Sequence, residues 1–220
     1  MKFNQHIIKG VIFDLDGVLV DTEYFQWLGW VEALKPYGKS MTKKEYMKYA
    51  GKQGDAIEAE LFIDLNLSLH KNVLLDEKQK HLVGWFETKT LACMPYAKEV
   101  LEYFQHKNLK LACASGSPKK EALLKLEKVG LLSKFQNVIS GTDVKRGKPF
   151  PDIYLLAAQL LGLNPEQCLA FEDTQYGLAS AKAAGMLCFA IPNEFSKEQD
   201  FSQADGGFNS LKDAITYFEK

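Results

Sequence analysis

Short apolar runs alternate with longer stretches of helical spacing over the C-terminal two-thirds of the chain. The runs are rich in Val, Ile, Ala and Cys, and each is continuously apolar, as a strand covered on both faces must be. Strands that alternate with helices in this way are typical of a parallel sheet with crossover helices. The predicted strands are residues 10–14, 110–115, 137–140, 168–172 and 187–191.

Apolar stripes and boundary residues predict the helices between these strands. Ser117 is expected to act as the N-cap of a helix that ends at Gly130. Further helices are expected over residues 95–108, over residues 152–161, and in the Gly/Ala-rich segment that follows Thr174.

The segment from about residue 22 to residue 92 has a different pattern, because its apolar positions are spaced for helices and no strand is evident. Trp27 and Trp30 lie in a first predicted helix, a second is expected to end near Asn66, and a third covers residues 76–88. This segment is predicted to form a separate helical unit.

We therefore predict an α/β protein with a Rossmann-like parallel sheet and an inserted helical cap domain. The core is assigned to residues 1–20 and 93–220, and the cap to residues 21–92. Within the core, residues 194–207 are expected to form a loop-like tail.

Composition excludes several classes of partner. The chain of 220 residues carries 27 Lys and Arg against 28 Asp and Glu, so it has no basic field for nucleic acid or an anionic membrane. Residues 1–9 lack the apolar stretch of a signal peptide, and nothing later approaches a membrane span, which predicts a cytoplasmic protein. The four cysteines show no CxxC spacing, and three lie in predicted strands, which favours buried reduced thiols.

Acidic residues stand at the ends of two predicted strands. The first strand ends in Asp14-Leu-Asp16-Gly17, and the fourth in Glu172-Asp173. In an extended segment Asp14 and Asp16 point the same way, and two like charges held together need a cation or a proton between them. The further ligands of a calcium-binding loop are absent at the required spacing. A strand that merely ends in solvated acids would show the same DxD.

The other two strand ends supply groups that suit an anion. The second strand ends at Ser115 and Gly116 and runs directly into a helix, so a hydroxyl and free N–H groups lie at a positive helix terminus. The third strand is followed by a rigid basic loop, residues 145–152, that contains Lys148. An ordinary helix cap and a solvated charged loop are the alternative interpretations.

Because ligands of open α/β sheets bind at the carboxyl ends of the strands, the four strand ends are predicted to surround one cavity. Magnesium held by Asp14, the Asp16 carbonyl and Asp173 would neutralise phosphate charge. Ser115, the Gly116 N–H and Lys148 would hold the remaining phosphate oxygens, and the set suits phosphoryl transfer to or from a small metabolite.

The order DxDG, Ser, KPxPD and ED resembles the four motifs of the haloacid dehalogenase superfamily. The resemblance covers essentially the whole chain and is greatest to the subfamily with a helical cap after the first motif, which includes sugar-phosphate phosphatases and β-phosphoglucomutase. It implies that Asp14 attacks phosphorus to form an aspartyl-phosphate and that Asp16 protonates the leaving oxygen and then activates water. It also implies that Asp173 binds magnesium directly and that Glu172 lies nearby and acts through water.

Asp16 favours phosphate chemistry, because the dehalogenases of the superfamily need no acid at that position. Two cap positions then favour a phosphatase over a phosphoglucomutase. Gln26 stands near the position of the histidine of the mutases, and the cap loop around Lys52 has no arginine to grip a second phosphate. Glu23 and Lys52 are also candidates for contact with the substrate, although either could be an exposed or packing residue.

Two alternatives stay open at this point, a β-phosphoglucomutase-type phosphotransferase and a non-catalytic binding protein on the same fold. Retention of Asp14 and Asp173 argues against the second. Sugar phosphates, polyol phosphates and phosphoglycolate all remain possible substrates.

Overall fold

The computed structural model describes residues 1–3 and 6–219, and its centre is a parallel sheet. A small antiparallel pair, β1 (Lys2–Phe3) and β2 (His6–Ile7), precedes this sheet. The strands of the sheet are β3 (Gly10–Phe13), β4 (Lys110–Ser115), β5 (Asn137–Ser140), β6 (Cys168–Glu172), β7 (Leu187–Ala190) and β8 (Gly206–Gly207). Their order is β5-β4-β3-β6-β7-β8, and all neighbours pair in parallel. The five predicted strands and the parallel α/β fold are confirmed.

Nine α-helices flank the sheet or form the cap in the part of the chain that the structure describes. The cap helices are α1 (Glu23–Leu34), α2 (Lys43–Tyr46), α3 (Gly54–Asp64) and α4 (Val73–Thr88). The core helices are α5 (Ala97–His106), α6 (Lys119–Lys128), α7 (Asp152–Leu161), α8 (Gln175–Ala183) and α9 (Leu211–Phe218). The predicted helices are therefore present, although α4 begins three residues before the predicted residue 76.

Alternate residues of each strand face two separate apolar layers, since side chains alternate along a strand. On one face Phe13 and Phe171 stack at 5.1 Å between ring centroids and pack with Phe104 of α5. On the other face Ile12 and Ala170 pack against α7 and α8. Layers on both faces explain why every strand was continuously apolar.

The cap has its own apolar cluster, built around Trp30 and Leu34 of α1 and Ile57 and Leu61 of α3. Phe195, which follows β7 in the core, also belongs to this cluster. The two chain segments that join cap and core run side by side, since the Asp21 amide donates to the Ala92 carbonyl at 3.0 Å. Val20 and Cys93 form an antiparallel bridge beside that bond.

Two local expectations differ from the structure. The predicted tail, residues 194–207, is largely turns but ends in β8 at the edge of the sheet. Ser117 is not the N-cap of α6, because Pro118 holds that position and no side chain caps the helix.

The four cysteines are free, with Cys113, Cys168 and Cys188 buried as predicted. Among the described residues, no helix is both long and apolar enough to cross a bilayer.

Candidate active site

A cavity of about 560 Å³ lies between the carboxyl edge of the sheet and the cap. Because β4, β3 and β6 are adjacent, the residues at their ends converge on its floor. Asp14, Asp16, Gly116, Lys148 and Asp173 line the cavity from the core. The structure thus brings the residues of all four predicted strand ends to one place.

Three buried carboxylates form the deepest part of the site. Asp14, Glu172 and Asp173 each offer one oxygen, and these oxygens lie within 4.8 Å of one another. Glu172 Oε2 is buried and has no hydrogen-bond partner. Burial raises the pKa of Asp14 well above its usual range, against the opposing pull of Lys148 and with a further rise from Glu172. A hard cation with oxygen ligands fits this donor set, because it supplies the positive charge that the acids lack.

Lys148 lies between two of these acids. Its Nζ contacts Asp14, donates to Glu172 Oε1 at 2.5 Å and donates to the Ala114 carbonyl at 3.1 Å. The Tyr154 hydroxyl of α7 donates to the same Glu172 oxygen at 2.6 Å. Burial opposes the charge on Lys148, but the two carboxylates outweigh it and raise the pKa of the amine. Lys148 is therefore a fixed cation next to Asp14.

The Glu172 carboxylate packs against the first turn of α8 at Gly177. A Cβ at residue 177 would lie 2.0 Å from the Glu172 carboxylate, so only glycine leaves room for it. Gly17 has a similar role on the opposite side, with φ of +80° and a position for Cβ only 2.3 Å from Asp173 Oδ2. These two glycines let the backbone approach the acids closely.

Asp16 is held by four side chains. Its Oδ1 contacts the Thr22 hydroxyl and accepts from Lys125 Nζ at 2.6 Å. Its Oδ2 accepts from Ser117 Oγ at 3.0 Å and from Ser115 Oγ at 3.3 Å. Burial opposes ionisation of Asp16, but Lys125 and these hydrogen bonds outweigh it and lower its pKa. Asp16 is therefore stabilised as a carboxylate.

Lys125 was missed by sequence reasoning. It lies on α6, is fully buried, and also contacts Glu121 Oε1 at 2.5 Å and Ser117 Oγ at 2.9 Å. Gln79 of the cap helix α4 contacts the other oxygen of Glu121. These contacts explain why Ser117 does not cap its helix, since its hydroxyl is engaged with Asp16, Glu121 and Lys125 instead.

The two predicted phosphate ligands of the second strand end lie differently. Gly116 is exposed and lines the cavity. Ser115 is fully buried below it, and its hydroxyl accepts from the Ser117 amide at 3.1 Å as well as donating to Asp16.

The cap side of the cavity carries Glu23, which is 9% exposed and whose Oε2 has no hydrogen-bond partner. Burial, followed by the charge of Asp16, raises the pKa of Glu23 to about 7. Lys78 of α4 lies nearby, 8% exposed, and donates to Gln26 Oε1 at 2.7 Å. Burial lowers the pKa of Lys78 to about 8 despite the opposing charge of Glu121.

Lys52 also lines the cavity, but its amine is bound to both oxygens of Glu60 at 2.6 and 2.7 Å. Sequence reasoning named Glu23 and Lys52 as candidates, and the structure places both at the cavity. It did not name Lys78, whose pattern on α4 is that of an ordinary amphipathic helix.

Paired acids at the end of a central parallel strand, under an inserted helical cap, define a class of capped α/β hydrolases. A family model described as haloacid dehalogenase-like hydrolase matches residues 11–191. The phosphorylated carbohydrates phosphatase of Thermotoga maritima is 35% identical over 183 residues, covering 81% of this chain and 82% of that protein. The chain belongs to the haloacid dehalogenase-like hydrolase family.

A second relative is the fructose-1-phosphate phosphatase YqaB of Escherichia coli, 33% identical over 178 residues that cover 80% of this chain and 93% of that protein. The crystal structure of β-phosphoglucomutase from Clostridium difficile has a TM-score of 0.84 at 24% identity and covers 96% of each chain. That likeness concerns the fold, and it includes the helical cap. The predicted superfamily is confirmed.

Proposed function

We propose that this protein is a magnesium-dependent phosphatase that hydrolyses a monophosphate ester of a small sugar or polyol through an aspartyl-phosphate on Asp14. The observation that carries the proposal is the position of Asp14, in contact with Lys148, within the acid cluster and facing the cavity. Hydrolysis of a phosphoric monoester agrees with the named activities of the two relatives, both phosphatases.

The chain would hold magnesium through Asp14, Asp173 and the backbone carbonyl of Asp16, with Glu172 acting through water. Bound there, the ion would offset the negative charge of the phosphoryl group. The Gly116 N–H and Lys148 would bind the other phosphate oxygens, and Ser115 would support them from below. Lys148 also reduces the repulsion between Asp14 and Glu172.

In the first step a carboxylate oxygen of Asp14 attacks phosphorus while the bond from phosphorus to the ester oxygen breaks. Before substrate binds, Asp16 is a carboxylate, but the negative charge of the bound phosphate ester next to it would favour its protonated form. The protonated Asp16 carboxyl then gives its proton to that leaving oxygen. Lys125 favours the carboxylate that results. In the second step Asp16 takes a proton from water as the water oxygen attacks phosphorus, which releases Asp14 and inorganic phosphate.

The charged residues that the cap contributes to the cavity favour a substrate with one phosphate group. Glu23 and Lys78 both line the cavity, and a carboxyl group beside an ammonium group suits neighbouring hydroxyls of a sugar or polyol. Lys52 is already paired with Glu60, and Asp55 and Asp76 add negative charge to the same wall. This wall therefore carries more carboxylates than free ammonium groups, which disfavours binding of a second phosphate group there.

We further propose residues 21–92 as the cap domain, residues 1–20 and 93–220 as the core, and the cytoplasm as the location of the protein. The cap helices α1 to α4 and the paired linkers near Val20 and Cys93 support this division.

A panel of phosphorylated sugars, polyols and glycolate, assayed with magnesium, tests the proposed function. The panel includes β-glucose 1-phosphate with glucose 1,6-bisphosphate, and Asp14→Asn serves as the blank. Phosphate release that vanishes in the variant supports a phosphatase. Formation of glucose 6-phosphate with little free phosphate would instead make the protein a mutase. Failure to form a magnesium-dependent beryllium fluoride adduct would indicate a non-catalytic binding protein.

A further inference from the structure

One loop of the core contacts both the acid cluster and the cap. It comprises residues 193–199, follows β7, and is called the clasp loop below. Its first residue, Asn193, donates from Nδ2 to Asp173 Oδ2 at 2.6 Å. Each carboxylate has two oxygens, so this bond leaves the other Asp173 oxygen for a cation and fixes its direction.

Asn193 is itself held by the loop. Its Oδ1 accepts from the Phe195 amide at 2.9 Å, and its own amide donates to Ser196 Oγ at 3.1 Å. Ser196 is 1% exposed although it lies in a surface loop. The orientation of the Asn193 side chain therefore depends on where the backbone of Phe195 lies.

Phe195 belongs to the apolar cluster of the cap. It is 6% exposed, and its ring meets Tyr46 of α2 edge-on at 5.8 Å between centroids. Lys43 Nζ lies 5.5 Å from the same ring. Phe195 is therefore a core residue whose ring is buried against the cap.

Gln199, the last residue of the clasp loop, accepts one hydrogen bond from the core and donates one to the cap. Its Nε2 donates to the Ala50 carbonyl of the cap at 3.0 Å, and its Oε1 accepts from the Gln175 amide at 2.9 Å. Gln175 is the first residue of α8, two residues after Asp173. The clasp loop thus contacts the cap through Phe195 and Gln199, and it contacts the segment of Asp173 through Asn193 and Gln199.

We propose that Asn193 is a positioning residue for Asp173, and that Phe195 and Gln199 couple this position to the closed cap, so that magnesium binding and cap closure strengthen one another. Such coupling is reciprocal by thermodynamic linkage. The inference rests on the magnesium site proposed above, but it assigns a role to residues outside that site.

The chain provides its own probe of the cap. All three tryptophans, Trp27, Trp30 and Trp85, lie on the cap helices α1 and α4. Intrinsic fluorescence therefore reports on the cap, while isothermal titration calorimetry with magnesium chloride reports on the acid cluster. In the wild-type protein both signals should give the same dissociation constant for magnesium.

Asn193→Ala should weaken magnesium binding by about tenfold, as loss of a hydrogen bond to a metal ligand commonly does. High magnesium should then restore its turnover. Phe195→Ala changes neither a proposed metal ligand nor Asn193, yet it should weaken magnesium binding by about fivefold. It should also abolish the fluorescence response to magnesium. Gln199→Ala tests the same link without emptying an apolar site, and Glu198→Ala, an exposed change in the same loop, is the matched control.

Circular dichroism first establishes that each variant is folded, and Gln199→Ala carries the test if Phe195→Ala is not. Magnesium affinity within about twofold of wild type in folded Phe195→Ala and Gln199→Ala would overturn the coupling. Unchanged affinity in Asn193→Ala would overturn the positioning role. Absence of magnesium binding by the wild-type protein would overturn the proposed metal site as well, which separates that failure from the other two.

Discussion

Replacement of Glu23 by glutamine should make the protein more stable, and increasingly so as the pH rises. Glu23 is buried, one of its oxygens has no partner, and its pKa is raised from 4.5 to about 7, first by burial and then by Asp16. Between these two pH values the unfolded chain releases the proton and the folded protein retains it. The free energy of unfolding therefore falls as pH rises through this interval.

The size of the effect follows from the same interval. One pH unit corresponds to about 1.4 kcal/mol, so the buried charge costs about 3 kcal/mol above pH 7 as an upper bound. Glutamine has nearly the same volume and never ionises. Glu23→Gln should therefore match the wild type near pH 4.5 and exceed it by up to about 3 kcal/mol at pH 7.5, or by about 6 to 12 °C in Tm for a chain of this size.

Thermal and urea unfolding at pH 5, 6, 7 and 8 in the presence of EDTA would measure this difference, since the chelator keeps metal out of the acid cluster. Glu87→Gln, an exposed change on α4, is the control and should show no trend with pH. A stabilisation by Glu23→Gln that is equal at pH 5 and pH 8, or a destabilisation that grows with pH, would refute the reasoning. If the same variant also loses turnover, Glu23 is retained for function at the expense of stability.

Three other predictions concern the site. Asp14→Asn should abolish turnover while circular dichroism and Tm show a folded protein, and activity close to wild type would contradict the covalent mechanism. Gly177→Ala should lower turnover at least tenfold, because the new Cβ would lie 2.0 Å from the Glu172 carboxylate. Its matched control, Gly84→Ala, meets nothing within 4 Å on α4 and should raise stability by about 0.5 to 1 kcal/mol with unchanged turnover. Calcium in place of magnesium should inhibit, since its looser coordination misplaces Asp14 relative to phosphorus; full activity with calcium would show the metal assignment to be wrong.

The sheet and the floor of the site could be predicted because their signals are local. Strands buried on both faces must be apolar throughout, so acidic residues at their ends are easily recognised in the sequence. Asp14 at the end of β3, and Glu172 and Asp173 at the end of β6, are such residues. The parallel order then requires those ends to meet at one edge. Helix α9 also has a local signal that was not used, since Ser210 precedes apolar Leu211, Ala214, Ile215 and Phe218 at helical spacing.

The network around Asp16 had no such signal. Lys125 is separated from Asp16 by 109 residues in sequence, and its helix carries four lysines of which the sequence distinguishes none. Ser117 shows the converse error, because its local preference for a helix N-cap is overridden by the contacts to Asp16 and Lys125. Buried charge pairs between distant segments are a property of the fold, and only the structure reveals them.

The pairing of the two linkers, with Asp21 and Ala92 joined by one backbone hydrogen bond, has a consequence for the history of such proteins. The chain leaves the sheet and returns to it at adjacent points, so an insert of any length can be accommodated there without stretching β3 or β4. A tight turn in place of residues 22–91 would leave the remaining chain connected much as before. Recombination at this single junction can therefore exchange residues 22–91 while Asp14, Glu172 and Asp173 stay together at the edge of the sheet.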